Sequence, residues 1–593
     1  MRVLLLASLV PALAAALSTS NSFHEALTLH PLPDGKLSVL FEFTTYFASA
    51  STGSSLRQSH HYLTPPSLLL PLEHNNVSEL TVSFVAGQWD QRRSGEAGPL
   101  HYESGGGGGE VRGWLRSNGE KAESDRAWTA VTHALGGLFC AGLGPSDEGD
   151  IVRSFGDIYP PHRGSSSTQR PKFKYRLRTY RLINADLTHY LLPHPFLHLC
   201  TENLTPFLSL LPSKGLSGLS RLLAQPGTVF SWGFKSEGIE VIMPDETSPG
   251  RWRGWWEGVV DLVPERGGSR AFSLEQIFGR GIPRPFPEAE SSVLRLMVSE
   301  GMSMEPGAPK REGKWIDGRF REVAEWDLLE PGMQGRDVRF WWDGERDFVH
   351  PRTLRPPPIS VLRTVTAPRA SDGTFTIRFS NAGDESRRAV YSEVWPWWVK
   401  GWISEISLRV DGPDESRDDL LDSMSYHPST PPTPSTTSLH LFLTLPAQST
   451  LVVSIPFTKL TLKYTEHRPD AERGVEIPSG ILTLLDTIGE PESVSSDVPL
   501  GVENARQTAR RRIYTNRLLL DVPTPDFSMP YNVIIMSSTV MAVFFGLMQG
   551  ALTRKWGWVE LPKEQGKNKQ GDDEPKAGVS VVEGGAQLAG SSS

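Results

Sequence analysis

Cysteine is scarce in this chain of 593 residues, which holds only Cys140 and Cys200. Two thiols exclude a disulfide framework as the basis of the fold, so buried apolar area must carry it. Seventeen tryptophans fit that role, because each buries a large area. A strong charge imbalance is also missing. The formal net charge of −8 is mild, and no basic stripe marks a nucleic-acid surface. Catalytic signatures are absent too: there is no HExxH, no GxSxG and no phosphate-binding glycine loop. No tandem repeat occurs.

Long apolar runs are limited to the two ends. Met1 to Ala16 carries one positive charge, a short apolar core and small residues at Ala14 and Ala16. This pattern reads as a signal peptide over residues 1–18, cleaved between Ala16 and Ser20. Val533 to Leu552 contains no charge and is long enough to cross a hydrocarbon core as a helix. Arg554 and Lys555 follow it, while Asp521 and Asp526 precede it, so the tail 553–593 is expected in the cytosol and residues 19–532 in the lumen. Gly546 and Gly550 are spaced for close helix packing, a weak signal in a membrane helix.

The about 510 residues between the runs suffice for two to four domains. Alternation with the strand period places Val39, Phe41, Phe43 and Phe47 on one face of a strand. The same holds for Leu80, Val82 and Phe84, for Phe375, Ile377 and Phe379, and for Leu439 to Leu445. It holds again for Leu451 to Phe457 and for Leu460, Leu462 and Tyr464. Such patterns predict a mainly β (α+β) chain of antiparallel, sandwich-type sheets, each with one buried face. Two helices are expected. One carries Trp128, Val131, Leu135, Leu138 and Phe139 behind the caps Ser124 and Asp125; the other carries Leu216, Leu219, Leu222 and Leu223 and ends at Pro226-Gly227. The glycines 105–109 read as a flexible loop, and the prolines between 351 and 358 as a linker. The expected divisions are a β-rich region 19–350, a sandwich 351–522, an extended juxtamembrane stalk 523–532 and a helix 533–552.

Candidate chemistry is thin. His60 and His61 are adjacent and would point to opposite faces of a strand, which disfavours shared metal ligation. Neither a metal nor a cofactor is expected. Cys140 follows Leu138-Phe139 and reads as a buried, inert thiol. The tryptophan-rich strings 252–256 and 395–398 read as core packing rather than glycan platforms. Two N-glycosylation sequons occur, Asn76-Val77-Ser78 and Asn203-Leu204-Thr205. Asn76 lies in a polar turn and is the expected acceptor, whereas Pro206 directly after Thr205 disfavours use of Asn203. By composition the two cysteines could pair with each other, closing a loop of about 60 residues worth about 4 kcal/mol, or Cys200 could pair outside the chain.

Specific strings carry more. Cys200-Thr201-Glu202-Asn203-Leu204-Thr205-Pro206 is one, and Pro523 to Ile534, which runs into the apolar helix, is another. Both resemble signatures of the PIG-T family, a subunit of the glycosylphosphatidylinositol (GPI) transamidase. Shorter strings at 137–141, 213–217, 395–397 and 552–554 follow in the family's order. The resemblance implies an endoplasmic reticulum membrane complex that removes a C-terminal signal from a proprotein and joins the new carboxyl end to a GPI lipid. It implies a non-catalytic subunit, with the nucleophilic cysteine on a separate caspase-like partner. It further implies a disulfide from Cys200 to that partner, leaving Cys140 reduced. Thr201, Glu202, Asn203, Pro525, Asp526 and Phe527 become the expected partner-binding residues. The other membrane subunits are expected partners, and the GPI lipid and proprotein indirect ones. A membrane-anchored lumenal enzyme acting on glycans through paired carboxylates is the alternative.

Overall fold

The computed structural model describes residues 21–47, 63–87, 89, 106–144, 152–154, 187–351, 357–485, 512–522 and 528–555, apart from short gaps at 117–120, 195–198, 200, 245–248, 308, 317–318, 370, 411–416, 430–434, 464–465 and 468–473. The expected signal peptide, His60-His61, most of the long polar loop 145–169 and the residues beyond Lys555 lie outside the described residues. The chain divides into two units, residues 1–524 and 525–593.

An eleven-stranded sheet organises the first 330 residues. Its strands are β1 (Ser22–Pro31), β2 (Lys36–Phe47), β3 (Val77–Ala86), β4 (Gly108–Arg116), β5 (Val152–Ser154), β6 (Leu187–His194), β7 (Lys235–Ile242), β8 (Gly250–Asp261), β10 (Ala289–Met297), β12 (Lys310–Ile316) and β13 (Arg319–Asp327). They lie in the order β12-β13-β10-β1-β2-β8-β7-β3-β4-β6-β5. All pairings in it are antiparallel except β1 with β10, which is parallel. A small sheet of β9 (Ala271–Ser273), β11 (Met302–Glu305) and β14 (Arg339–Trp342) accompanies it.

One face of the large sheet is apolar, and helices cover it. Val39, Phe41, Phe43, Val82, Ile239, Trp252 and Trp256 share a core with α1 (Pro66–His74), α2 (Lys121–Phe139) and α3 (Thr201–Leu210). Trp128, Val131, Leu135 and Phe139 of α2 are buried there, as their spacing predicts. The helix starts at Lys121, three residues before Ser124, so Ser124 and Asp125 lie inside it rather than capping it. The strings around Trp252 and Trp395 are core, as expected.

The opposite face is not the solvated one that alternation suggested. Glu42, Glu79, Glu110, Arg112, Glu240, Arg251, Arg253 and Glu257 are all buried on it. The register sets Arg253 opposite Glu240. Arg251 Nη2 lies 2.6 Å from Glu240 Oε2, and Arg253 Nη2 lies 3.5 Å from the same oxygen. A single-face reading fails because a charged residue in a strand signals an outward position only when nothing covers it. Here the charges neutralise one another out of water.

The C-terminal half of the first unit is a sandwich, as predicted. One sheet holds β15 (Ile359–Thr366), β16 (Asp372–Asn381), β22 (Ser449–Lys459) and β18 (Val399–Gly401), with β19 (Ser407–Val410) also on β22. The other holds β20 (Leu421–His427), β21 (Thr437–Leu445), β17 (Arg387–Trp395), β24 (Ile481–Leu484) and β25 (Arg512–Tyr514). Phe375, Ile377, Phe379, Val453, Ile455 and Phe457 meet Tyr391, Leu439, Leu441 and Leu443 between them. A ribbon of β23 (Val475–Ile477) and β26 (Leu518–Leu520) completes the half.

Several local expectations are corrected. No helix runs from Leu216; the chain forms only α4 (Ser220–Leu223), Pro226 begins α5 (Pro226–Val229), and Leu216 is exposed. Gly215 and Gly218 adopt left-handed backbone (φ 71° and 68°), which breaks the helical period. Leu460 to Lys463 is not a strand, because β22 ends at Lys459 and the Leu460 amide turns to the Trp398 carbonyl. The described part of the glycine run is no free loop either. Gly108 and Gly109 open β4, and a Cβ on Gly106 would sit 2.5 Å from the Ser479 side chain. Glycine stands there because another strand end packs against the backbone.

After the short α6 (Leu274–Phe278), the last helix is α7 (Ser528–Thr553). Within it Tyr531–Thr553 is long and apolar enough to cross a membrane, with mean hydropathy 1.8. Residues 528–532, expected to be part of an extended stalk, are helical instead, and 523–527 lie outside the described residues. Pro530 is tolerated because it is the third helical residue, where a missing N–H breaks no intrahelical bond.

Candidate functional site

The string expected to bind a partner runs from Cys200 into α3, which packs against α2. Helix α2 ends with Cys140 in left-handed backbone (φ 52°), and the Ala141 amide bonds back to the Gly136 carbonyl at 3.0 Å. This six-to-one bond is the Schellman ending, in which the left-handed residue is usually glycine. Cys140 is exposed, and its thiol is free. The expectation of a buried thiol is thus overturned. The apolar stripe of α2 stops at Phe139, and the left-handed turn carries the next side chain off that stripe.

Asn203 anchors α3 to this corner. It is 3% exposed, and its Nδ2 donates to the Phe139 carbonyl at 3.2 Å. The last carbonyls of a helix lack intrahelical donors, so Asn203 satisfies one of them. Leu204, Phe207 and Leu210 face the core, with Phe207 against Phe43 and Trp256 at ring separations of 6.5 Å. Glu202, Thr205 and Ser209 are exposed on the other side of α3. Cys200, the Thr201 side chain, Pro525, Asp526 and Phe527 lie outside what is described.

Asn76 sits in the turn between α1 and β3, exposed, with φ 54°. The carbonyl accepts from the Arg116 amide at 2.9 Å, which leaves the side chain outward. The structure therefore separates the two sequons: one amide is open to solvent, and the other is consumed as a helix cap.

A second concave feature lies between the large sheet and the sandwich. Gly106, Gly107, Glu110, Leu191, Ser392, Val394, His440, Ser479 and Ile481 line it. Leu191, Val394, Ile481 and Tyr514 form a small apolar cluster there, apart from both main cores. Tyr514 Oη donates to Glu110 Oε1 at 3.4 Å, and Arg112 Nη1 lies 3.6 Å from that same oxygen. Burial pushes the Glu110 carboxyl above its usual range, more than Arg112 and Tyr514 pull it down. His440 shares a 2.9 Å hydrogen bond with Ser392, and burial lowers its pKa to about 4. His440 is therefore uncharged at neutral pH, and the polar groups of the seam serve the contact between the two sheets.

Among the described residues no group of three or more His, Cys, Asp and Glu is placed to hold a metal ion. Sequence reasoning missed the Asn203 cap and the seam. The glycine run is the sequence signal for the seam, since Gly106 and Gly107 leave room for Ser479 and Arg517.

A family model described as "Gpi16 subunit, GPI transamidase component" matches residues 7–271 and 264–577. The GPI transamidase component GPI16 of Saccharomyces cerevisiae is 26% identical over 580 residues, covering 91% of this chain and 89% of that one. The GPI-anchor transamidase component PIGT of Homo sapiens is 26% identical over 579 residues, covering 93% of each. The PIG-T homolog of Schizosaccharomyces pombe is 27% identical over 560 residues, covering 91% of each. The chain belongs to the Gpi16 family of GPI transamidase components.

Proposed function

We propose that this chain is a non-catalytic, partner-binding subunit of a GPI transamidase in the endoplasmic reticulum membrane. The observation that carries the reading is the family match along nearly the whole chain, with relatives named as components of that complex. Residues 1–18 act as a cleaved signal, residues 19–522 lie in the lumen, and α7 anchors the chain with its tail in the cytosol. The apolar helix Tyr531–Thr553, followed by Arg554 and Lys555, supports that orientation.

The role is to hold a caspase-like catalytic partner and shape access of GPI lipid and proprotein to it. Cys200 makes the covalent link, with Thr201 and Glu202 at the contact, Asn203 holding α3 to α2 behind it rather than touching the partner as expected, and Pro525, Asp526 and Phe527 near the membrane. Support for a rigid platform comes from the large sheet, buried on both faces, with α3 locked to α2 by Asn203. A disulfide here would raise the partner's effective concentration rather than perform chemistry.

The test is purification of the tagged full chain from membranes in mild detergent. A caspase-like protease should come with it, and the chain should restore GPI anchoring in yeast cells depleted of GPI16. Recovery of the chain alone, with no restoration, overturns the reading.

A further inference from the structure

Asn203 presents a conflict between two fates of one atom. N-glycosylation joins Nδ2 to the anomeric carbon of an oligosaccharide carried on a lipid diphosphate. The C–O bond to that diphosphate breaks, and the amide proton leaves with the departing phosphate. In the fold the same Nδ2 is buried and donates to the Phe139 carbonyl, 64 residues away. A glycan at this atom has no room, and α2 and α3 could not close on each other. Burial gives no protection, because acceptor asparagines are modified on the extended chain as it enters the lumen. Asn203-Leu204-Thr205 has the acceptor pattern in full.

Pro206 is the second oddity. It is the sixth residue of α3, past the first turn where proline is tolerated. It removes the N–H that would meet the Glu202 carbonyl, and an interior proline destabilises a helix. It is only half-buried, so packing gives it little return. Its ring also restrains Thr205, the residue whose hydroxyl completes the acceptor.

We infer that Pro206 guards Asn203 against glycosylation, keeping its amide free to cap α2 once the chain folds. This rests on the lumenal reading above, since a cytosolic chain never meets the transferase.

The test expresses the full chain in cells with a glycosylating lumen and reads endoglycosidase-sensitive mobility. Wild type should carry the Asn76 glycan and none at Asn203. Pro206→Ala should gain one glycan, lost again in Pro206→Ala with Asn203→Gln. The glycosylated Pro206→Ala chain should lose several-fold in folded, protease-resistant yield. Thr205→Ala with Pro206→Ala destroys the sequon at an exposed position and should restore that yield, separating the glycan from any effect of the proline itself. If Pro206→Ala gains no glycan while Asn76 is modified, the guard role is wrong and the lumenal reading stands. If neither site is ever modified, both fall. A Pro206→Ala chain that is glycosylated at Asn203 yet folds to wild-type yield overturns the claim that the amide must stay free.

Discussion

Arg363 and Glu393 form an ion pair with no exposed side-chain surface, Nη1 to Oε2 at 2.6 Å, that ties the two sheets of the sandwich together. Arg363 stands on β15 and Glu393 on β17. The same guanidinium donates to the carbonyls of Pro478 and Asn516 at 2.6 and 2.9 Å, so it also pins the chain around β24 and β25. Glu393 takes further donors from the Tyr391 hydroxyl and, at 3.2 Å, from the Trp395 indole.

Removing one member should cost far more than removing both. Arg363→Met leaves a buried carboxylate with only neutral donors, and should destabilise by about 3–5 kcal/mol. Arg363→Met with Glu393→Leu should recover a large part of that loss. Thermal melting of the full chain in detergent measures both. Equal loss in the single and double variants would mean that the pair, rather than the stranded charge, matters.

Glu237 makes a prediction about pH. It is buried on the apolar face of the large sheet, opposite Phe84 and Trp256, and neither carboxyl oxygen has a hydrogen-bond partner. Burial raises its pKa well above 4.5. For a raised carboxyl, the stabilising contribution is full below about 4.5 and is lost as pH rises through the folded value. Glu237→Gln should therefore flatten the decline in melting temperature as pH rises above 4.5. Glu25 and Glu110 shift the same way by burial, so some slope should persist. His440 works in the opposite sense. With its pKa lowered from 6.5 to about 4, its contribution is present above 6.5 and lost as pH falls through about 4. His440→Gln should flatten the acid side alone. A pH profile unchanged by either substitution would refute these assignments.

Much of this architecture was readable because alternation and helical spacing report burial directly. Val39 to Phe47, Phe375 to Phe379 and the α2 stripe all lie where their periods put them. Periodicity is silent about what covers a polar face, so the buried layer of Glu240, Arg251 and Arg253 was invisible in it. It is silent as well about single residues past an element's end. Cys140 follows a perfect stripe and yet leaves it, because one left-handed residue redirects the chain. The Asn203 amide finds its partner 64 residues away, a distance no local pattern spans.

Cys140 should behave as an accessible thiol with a strained backbone. Maleimide-polyethylene glycol should modify it in the native full chain without denaturant. Cys140→Gly should stabilise by about 1 kcal/mol, because glycine pays no Cβ penalty at φ 52°. On a non-reducing gel Cys140→Ser should leave the high-mass band of the proposed partner disulfide, while Cys200→Ser should abolish it. A wild-type monomer whose peptides show Cys140 joined to Cys200 would sink both expectations.

The seam between the large sheet and the sandwich should be separable from the two cores it joins. Its closeness depends on Gly106 and Gly107: a Cβ on Gly107 would meet Arg517 Nε at 2.9 Å, and Gly106 abuts Ser479 and Tyr514. Gly106→Leu inserts a branched side chain where backbone meets side chain, and overpacking of this kind costs typically 1–3 kcal/mol. The strain falls on the small cluster of Leu191, Val394, Ile481 and Tyr514, which shares no member with either main core. Hydrogen exchange should therefore quicken at residues 106–110, 478–481 and 512–514. Amides of β2 and β22, deep in the separate cores, should keep their protection. Faster exchange across β2 or β22 would show that the seam and the cores unfold as one cooperative body.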